Sequence, residues 1–443
     1  MKLSIGSIFK TIGVPTVTYV ERNNGKHESE LTNFLSIPGK VCLITGPSKT
    51  GKSTLYQKVL STLKKEPLIV RCDSDMSVED LWRKALEEVD FERIITKSNA
   101  GQVSISASAK AGASMGWAWL GKLIGEFSIG LTGAVTNTTV REHILSKPSA
   151  IHIIPVLKNL PYTLVIEDFH YLKEEVKSSL FQQWKSFIDN EVSVIVLGTT
   201  HHAIDLAYSN RDLIGRITHI EVGTWDIQDL NKIVVQGFDS LNLKLDQSLQ
   251  DLIVSESVGL PLLTQLVCQR LFIDQKILEF DSKKNSTLNF KESDLLTSLS
   301  NVAKTDFGIF HDIYDIFATG FRKGARKYNT YELLLLAFTI DPVTFKLKRF
   351  EIDARFQELK NIEIPPAASI NSTLGALSKL QKKNQFELLE WSTRQSTLYI
   401  LEPSFLFYLR WRHEKQGTDP DKKYFEDFLH LFRIQKTLKA KRN

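Results

Sequence analysis

The chain has 443 residues, of which 42% are hydrophobic and 24% are charged, which is ordinary for a globular protein of two to four domains. Its formal net charge of +5 permits nucleic-acid contact without implying it. The three cysteines are widely separated, which excludes the usual disulfide and zinc spacings and favours a reducing compartment. The first fourteen residues lack a continuous apolar run and a small-residue cleavage site. We therefore expect a cytoplasmic protein.

Short apolar segments alternate with helical segments over the first half of the chain. The predicted strands cover residues 39–46, 66–73, 162–168, 191–200 and 217–223. The predicted helices cover residues 52–65, 77–89 and 172–189. Continuous apolar strands that alternate with helices indicate a parallel sheet with both faces covered, so the predicted fold class is α/β.

Residues 98–139 interrupt this alternation. The segment is rich in Gly, Ser and Ala, and its only charged residues are Lys110, Lys122 and Glu126. Its length suits a membrane span, but the density of glycine and the charges near its middle argue against one, so no stable membrane insertion is expected. A mobile or oligomer-facing insertion and a plain surface hairpin both stay open.

The second half of the chain is mainly helical and ends in a basic region. Helices are predicted from residue 224 onward, with a polar linker at 281–293. A further helix from Ile370 is followed by two β-rich runs, 386–391 and 397–402, which is the outline of a winged helix. From Asn371 to Asn443 there are 14 Lys and Arg against 8 Asp and Glu, so the positive charge is concentrated here.

The segment 46–54, "GPSKTGKST", lies between a predicted strand and a predicted helix, which is the setting of a phosphate-binding loop. Its glycines let backbone N–H groups turn inward onto phosphate oxygens, Lys52 reaches the β- and γ-phosphates, and Ser53 is a ligand for Mg²⁺. The pattern predicts ATP and Mg²⁺ as cofactors. The predicted nucleotide-binding residues of the loop are Gly46, Pro47, Ser48, Lys49, Thr50, Gly51, Lys52, Ser53 and Thr54.

Two carboxylates end the apolar strand of "LVIEDFHYL". One can join the shell of the metal while the other orients the attacking water. We assign Glu167 to the metal and Asp168 to the water; the reverse assignment stays open. A structural alternative is that Asp168 only caps a helix.

Three further side chains are candidates for catalysis. Thr199 and Thr200 follow the fourth strand, where their hydroxyls would sense the γ-phosphate or orient water. Arg216 precedes the fifth strand, from which it would reach the phosphoryl group of a neighbouring subunit, with Arg211 as the next candidate. The alternatives are an ordinary strand end for the threonines and a surface arginine for Arg216. No arginine near the loop itself stands out from the sequence.

The order of these motifs, with "VGLPLL" in a helical segment behind them, resembles the AAA+ superfamily. More narrowly, it resembles the branch shared by origin-recognition-type ATPases and the signal-transduction ATPases with numerous domains (STAND). Gly259 and Pro261 match the GxP lid motif of that branch, which implies contact between Pro261 and the adenine. Leu262 and Leu263 stand where many AAA+ proteins carry a lid arginine, which favours slow, switch-like turnover.

The resemblance implies an AAA+-like P-loop NTPase core at 1–223, a helical lid at 224–280, and a helical linker with a winged-helix domain at 281–443. It also implies an oligomerising, Mg²⁺-dependent ATPase. Its partner is DNA or a protein; phosphate contacts would come from Lys379, Lys382, Lys383, Arg394 and the tail 433–443. A scaffold that binds but never hydrolyses ATP is the alternative, and a P-loop kinase fits less well because no second substrate motif is present.

Overall fold

The computed structural model describes residues 2–89, 144, 146–199, 215–281, 288–320, 328–359 and 363–412. The predicted insertion at 98–139, Thr200, Arg211 and the tail 433–443 lie outside the described residues. The chain divides into two compact units. We call Glu21–Gly223 the P-loop unit, and Met1–Val20 with Thr224–Asn443 the C-terminal unit.

The described residues form short strands and longer helices. The strands are β1 (Lys2–Ser4), β2 (Val41–Thr45), β3 (Glu66–Arg71), β4 (Tyr162–Glu167), β5 (Val194–Gly198), β6 (Ile217–Glu221), β7 (Glu279–Asp281), β8 (Lys346–Lys348), β9 (Leu389–Ser392) and β10 (Thr397–Ile400). The helices are α1 (Ile5–Ile8), α2 (Lys26–Ser36), α3 (Lys52–Thr62), α4 (Val78–Glu88), α5 (Ala150–Asn159), α6 (Glu174–Asp189), α7 (Ile227–Ser240), α8 (Gln247–Glu256), α9 (Pro261–Asp274), α10 (Glu292–Thr305), α11 (Phe310–Thr319), α12 (Thr330–Thr339), α13 (Arg349–Glu358), α14 (Ala367–Lys383) and α15 (Ser404–Trp411). None of the described helices combines the length and apolarity needed to cross a bilayer.

The P-loop unit is built on a five-stranded parallel sheet with the order β3-β4-β5-β2-β6. Each of the five predicted strands is present, which confirms the predicted α/β core. The register pairs Thr45 with Gly198 on one side and with Glu221 on the other. Arg71 pairs with Glu167 at the end of β3 and β4. The carboxyl ends of all five strands therefore lie along one edge of the sheet.

Helices cover both faces of this sheet because its strands alternate between two hydrophobic clusters. Leu43 of β2 packs into the cluster formed with α4, α5 and α6, where the rings of Trp82 and Phe187 stack 5.3 Å apart. Cys42 and Ile44 face the other way, into the cluster formed with α2 and α3. This arrangement fixes α3 against β2 and so determines how the loop between them is shaped.

In the C-terminal unit, the first twenty residues pack with the helices that follow residue 224. Strand β1 pairs with β7 in antiparallel register, and Phe9 contacts the rings of Phe238 and Phe272 at 5.7 and 6.0 Å. The sequence pattern placed residues 1–20 with the core instead. The difference arises because Phe9 is fully buried in the cluster of the helical segment, a tertiary contact that no local pattern shows.

The last part of this unit has the element order α12-β8-α13-α14-β9-β10, with a three-stranded antiparallel sheet of order β8-β10-β9. The helix and β-hairpin expected after Ile370 are both present. The buried Gln381 of α14 holds the hairpin in place. Its amide accepts hydrogen bonds from the N–H groups of Leu388 and Leu389 at 2.7 and 2.8 Å, and donates to the carbonyl of Leu389 at 2.6 Å.

A buried ion network joins this region to the helices of the predicted lid. Arg410 of α15 is 4% exposed and donates to Asp341 at 2.8 Å and to the carbonyl of Thr339 at 2.9 Å. Its guanidinium also lies 3.6 Å from the carboxylate of Glu256, which accepts a hydrogen bond from Trp411. A buried arginine with two carboxylates and a carbonyl is well compensated, so the network helps to hold these elements as one unit.

Candidate nucleotide site

The loop between β2 and α3 has a backbone that only glycine adopts at its first position. Gly46 has a φ of 147°, and a Cβ added there would lie 2.0 Å from the carbonyl oxygen of Val222. Gly51, with a φ of 98°, is the last residue before α3. Both glycines of the motif are therefore required by their backbone conformation, and Gly46 also by its close approach to Val222.

The loop folds around its own lysine. The ammonium of Lys52 donates to the carbonyls of Gly46 and Pro47 at 2.8 and 2.6 Å, and the buried Thr50 hydroxyl donates to Pro47 at 2.9 Å. The first turn of α3 carries no acidic residue, so its amino terminus is open to an anion. Residues 46–54 thus lie together as a compact loop with the charge and dipole that a phosphate chain requires.

The carboxylate of Glu167, at the end of β4, closes this site from the neighbouring strand. It is 7% exposed. Its Oε1 accepts hydrogen bonds from the hydroxyls of Ser53 at 2.7 Å and Tyr56 at 3.0 Å, and its Oε2 accepts one from Nε of Arg71 at 3.1 Å. The acid of the strand and the serine of the loop are in direct contact, as the metal assignment of Glu167 requires.

The oxygen donors at this point fit Mg²⁺. Adjacent oxygen ligands of an octahedral Mg²⁺ lie about 2.9 Å apart, because each bond is about 2.0–2.1 Å long. The Ser53 and Glu167 oxygens are separated by 2.7 Å. Over the described ranges, no group of three or more His, Cys, Asp or Glu residues could hold a metal. Mg²⁺ at nucleotide sites takes one or two protein oxygens, with phosphates and water completing its shell, so two donors are sufficient.

Asp168 lies directly after β4 in a left-handed conformation, with a φ of 58°. It is the N-cap residue of the 3₁₀ turn that follows, but its side chain makes no capping hydrogen bond to that turn. Burial and then the charge of Glu167 raise the pKa of the Asp168 carboxyl, while Lys52 and Arg71 lower it. A partly buried carboxylate between these charges has the setting of a general base.

Thr199 also reaches the edge of the sheet where the loop lies. It follows Gly198, the register partner of Thr45, and Thr45 directly precedes the loop. Its Oγ1 is buried and has no hydrogen-bond partner among the described residues. A buried hydroxyl of this kind is available to a ligand or to an ordered water.

Arg216 lies at the opposite edge of the sheet. Its carbonyl accepts a hydrogen bond from the N–H of Val41, at the start of β2, whereas the loop follows the end of that strand. Four residue steps along β2 separate Val41 from Thr45, so Arg216 lies roughly 13 Å from the loop. Its half-exposed guanidinium lies 3.5 Å from the carboxylate of Asp189. The structure does not bring Arg216 into the site of its own chain.

Two residues of this site, Arg71 and Tyr56, were not expected from the sequence. The expectation that no arginine lies near the loop was wrong, because β3 neighbours β4 and thereby places Arg71 beside Glu167. The signal was the arginine that ends the apolar run of 66–71, but its meaning depends on a strand order that the sequence does not reveal. Burial and the nearby Glu167 carboxylate raise the pKa of the Tyr56 phenol, so it stays a hydrogen-bond donor.

Pro261, the predicted adenine contact, belongs to the C-terminal unit. It is the first residue of α9, and Leu260 separates it from Gly259, whose φ is 75°. A Cβ on Gly259 would lie 2.2 Å from Cγ2 of Thr224, and the N–H of Trp225 donates to its carbonyl at 3.0 Å. The glycine of the motif is therefore required by packing within this unit.

Comparisons with known proteins found similarities in sequence profile and in fold. The profile of a family described as an AAA domain matches residues 38–206. A Walker-type ATPase of Pyrococcus abyssi shares the fold at 14% identity, with a TM-score of 0.50, over 91% of this chain and 99% of the other. Cdc6p of Pyrobaculum aerophilum matches at 13% identity and a TM-score of 0.44, over 96% and 98% of the two chains. The Orc1 protein of Aeropyrum pernix, solved in complex with DNA, matches at 9% identity and a TM-score of 0.38, over 98% of each chain.

No curated protein matches the chain by sequence. The AAA profile matched over residues 38–206, the five-stranded parallel sheet and the loop at 46–54 together show an α/β P-loop NTPase core.

Proposed function

We propose that this chain is a molecular switch that binds Mg²⁺-ATP at residues 46–54 and hydrolyses it slowly. The contact that carries the proposal is the 2.7 Å hydrogen bond between the Ser53 hydroxyl and the Glu167 carboxylate. It joins the loop to the acid of the adjacent strand, and that pair supports a metal-bound triphosphate better than a lone phosphate-binding loop would. Mg²⁺, when bound, would contact Ser53 and Glu167 and neutralise charge on the phosphates.

The remaining residues of the site have separate roles in this proposal. When ATP binds, Lys52 gives up its hydrogen bonds to the loop carbonyls and binds the β- and γ-phosphates instead. Asp168 accepts a proton from the attacking water, because Glu167 is already engaged by Ser53, Tyr56 and Arg71. Thr199 positions that water through its buried hydroxyl. The role of Pro261 as the adenine contact rests on the resemblance of Gly259 and Pro261 to the GxP motif alone.

The positions of the arginines support the proposal of slow turnover and of assembly. Leu262 and Leu263 occupy the positions of a lid arginine, so the lid motif adds no positive charge there. Arg216 is too far from the loop of its own chain to act there. A residue at that edge of the sheet can instead reach the phosphates bound by a neighbouring subunit. We propose that the chain forms homo-oligomers in which Arg216 completes the site in trans.

The switch acts, in this proposal, on duplex DNA through a winged helix formed by α12 to β10. The element order and the three-stranded sheet have the outline of that fold. The exposed side chains of α14 are small, polar or basic: Ala367, Ala368, Asn371, Ser372, Gly375, Ser378, Lys379, Lys382 and Lys383. A face without large apolar residues suits phosphates and base edges better than it suits an apolar protein surface.

Measurement of ATP turnover and duplex-DNA affinity on the same preparation tests the proposal. We expect slow turnover that changes when DNA is added, and DNA affinity that falls when Lys379 and Lys382 are both changed to alanine. The slope of log affinity against log salt should shrink by about two in this variant, one for each lost phosphate contact. A control that changes the exposed Lys65 and Lys244 to alanine should leave the slope unchanged.

Two results would contradict parts of the proposal. ATP that is bound but never hydrolysed, with or without DNA, would favour the non-hydrolysing scaffold. A salt slope that is equal in both double variants would remove α14 from any DNA interface, and a protein partner would then be the better interpretation.

A further inference from the structure

The side chain of Glu167 is one methylene longer than that of the aspartate which P-loop ATPases of the AAA+ type usually place at the metal. Because of its additional rotatable bond, the glutamate loses more conformational entropy than an aspartate when it binds a metal. In this chain the carboxylate is held by three donors, from Ser53, Tyr56 and Arg71. The three donors are not equivalent, and the difference between them identifies the one that positions the acid.

Ser53 and Arg71 are poor independent supports. Ser53 is itself a metal ligand in the proposed site, so its hydroxyl changes partners when the metal binds. Arg71 has a side chain that is 69% exposed, and solvent weakens an ion pair of that kind. Tyr56 differs from both because it is fully buried, has no role as a metal ligand and lies on helix α3.

The geometry of α3 aims the Tyr56 hydroxyl at the carboxylate. Ser53 and Tyr56 are three residues apart, so both project from one face of the helix and both reach Oε1 of Glu167. The side-chain amide of Gln57 donates to the Tyr56 oxygen at 3.3 Å. That bond uses a lone pair of the phenol oxygen and leaves its one proton for Glu167.

We propose that Tyr56 is a positioning residue whose hydroxyl fixes the Glu167 carboxylate and thereby sets the Mg²⁺ affinity of the nucleotide site. This inference rests on the proposed Mg²⁺-ATP site and adds to it a residue outside its recognised motifs. Groups that orient a metal ligand by a hydrogen bond typically contribute tenfold to hundredfold to metal affinity.

The test is Tyr56→Phe, which removes the hydroxyl and keeps the ring. ATP binding is measured by calorimetry as MgCl₂ is titrated, and again in EDTA. We expect the half-saturating Mg²⁺ concentration to rise roughly tenfold to hundredfold, while the affinity for ATP in EDTA stays that of the wild type. At saturating Mg²⁺, kcat should return to near the wild-type value.

Tyr314→Phe is the matched control. It removes another fully buried hydroxyl that donates to a buried carboxylate, that of Glu332, in the C-terminal unit. Its Mg²⁺ dependence should equal that of the wild type. If Tyr56→Phe does not fold, Gln57→Leu decides, because loss of the amide donor should raise the Mg²⁺ requirement in the same direction by a smaller factor.

The outcomes separate this inference from the proposed function. A wild-type chain with Mg²⁺-dependent ATP binding, together with a folded Tyr56→Phe variant of equal Mg²⁺ dependence, overturns the inference and leaves the proposed function standing. An unchanged Gln57→Leu variant overturns it if Tyr56→Phe is unfolded. A wild-type chain that binds no ATP, or binds it independently of Mg²⁺, overturns both.

Discussion

Replacement of Gly46 by alanine should disable the nucleotide site while leaving the fold in place. The new Cβ would lie 2.0 Å from the carbonyl oxygen of Val222, whereas real Cβ contacts stay beyond 3.0 Å, so the loop and Val222 must separate by about 1 Å. The φ of 147° adds backbone strain of about 1–3 kcal/mol. A displacement of about 1 Å at a reacting centre lowers the rate by about a hundredfold. We therefore expect Gly46→Ala to lose about that factor in turnover.

The assay compares the ATP turnover of Gly46→Ala with that of Gly223→Ala. A cooperative thermal-unfolding transition is first used to show that each variant is folded. Gly223 is the residue after Val222, its φ is not positive, and a Cβ on it meets no atom within 4 Å. Gly223→Ala should keep wild-type turnover. Equal turnover in the two variants would refute the reasoning, because it would mean that the contact of Gly46 with Val222 does not determine the shape of the loop.

Two further predictions concern catalysis. Asp168→Asn should bind Mg²⁺-ATP like the wild type and hydrolyse it about 10²–10⁴ times more slowly, because loss of a general base lowers a rate by that factor. If the affinity for ATP in Mg²⁺ falls together with the single-turnover rate, Asp168 is a metal ligand instead. Arg216→Ala should lower turnover, by up to about 10³-fold, without weakening ATP binding. Mixing the two variants should restore some activity, because one subunit lends the arginine and the other the carboxylate. Specific activity that stays flat on dilution to the monomer would count against assembly in trans.

Local features of this chain were predictable from sequence because their causes are local. The five strands of the core are continuous apolar runs, and each is present within a few residues of its predicted range. The start of α4 was visible in Ser77, whose hydroxyl accepts the N–H of Asp80 while the Asp80 carboxylate accepts the N–H of Ser77. The loop at 46–54 carries its own glycines and lysine, so its position needed no tertiary information.

Features that depend on strand order or long-range packing were not predictable. Arg71 lies about a hundred positions before Glu167 in the chain, and only the neighbourhood of β3 and β4 brings them together. Tyr56 reads as an ordinary buried residue of an amphipathic helix until the position of Glu167 is known. Phe9 likewise belongs to the cluster of Phe238 and Phe272 for reasons that no short window contains.

The most direct test of the account is equilibrium binding of ATP to the wild type and to Lys52→Ala in the presence of Mg²⁺. Lys52 lies at the carbonyls of Gly46 and Pro47, where it would meet the phosphates. Loss of a hydrogen bond to a charged group predicts roughly tenfold to hundredfold weaker binding, with turnover reduced at least as much and the thermal stability unchanged. Lys65→Ala, a change at an exposed lysine behind α3, should bind like the wild type. Wild-type affinity and turnover in Lys52→Ala would contradict the claim that this loop is the nucleotide site.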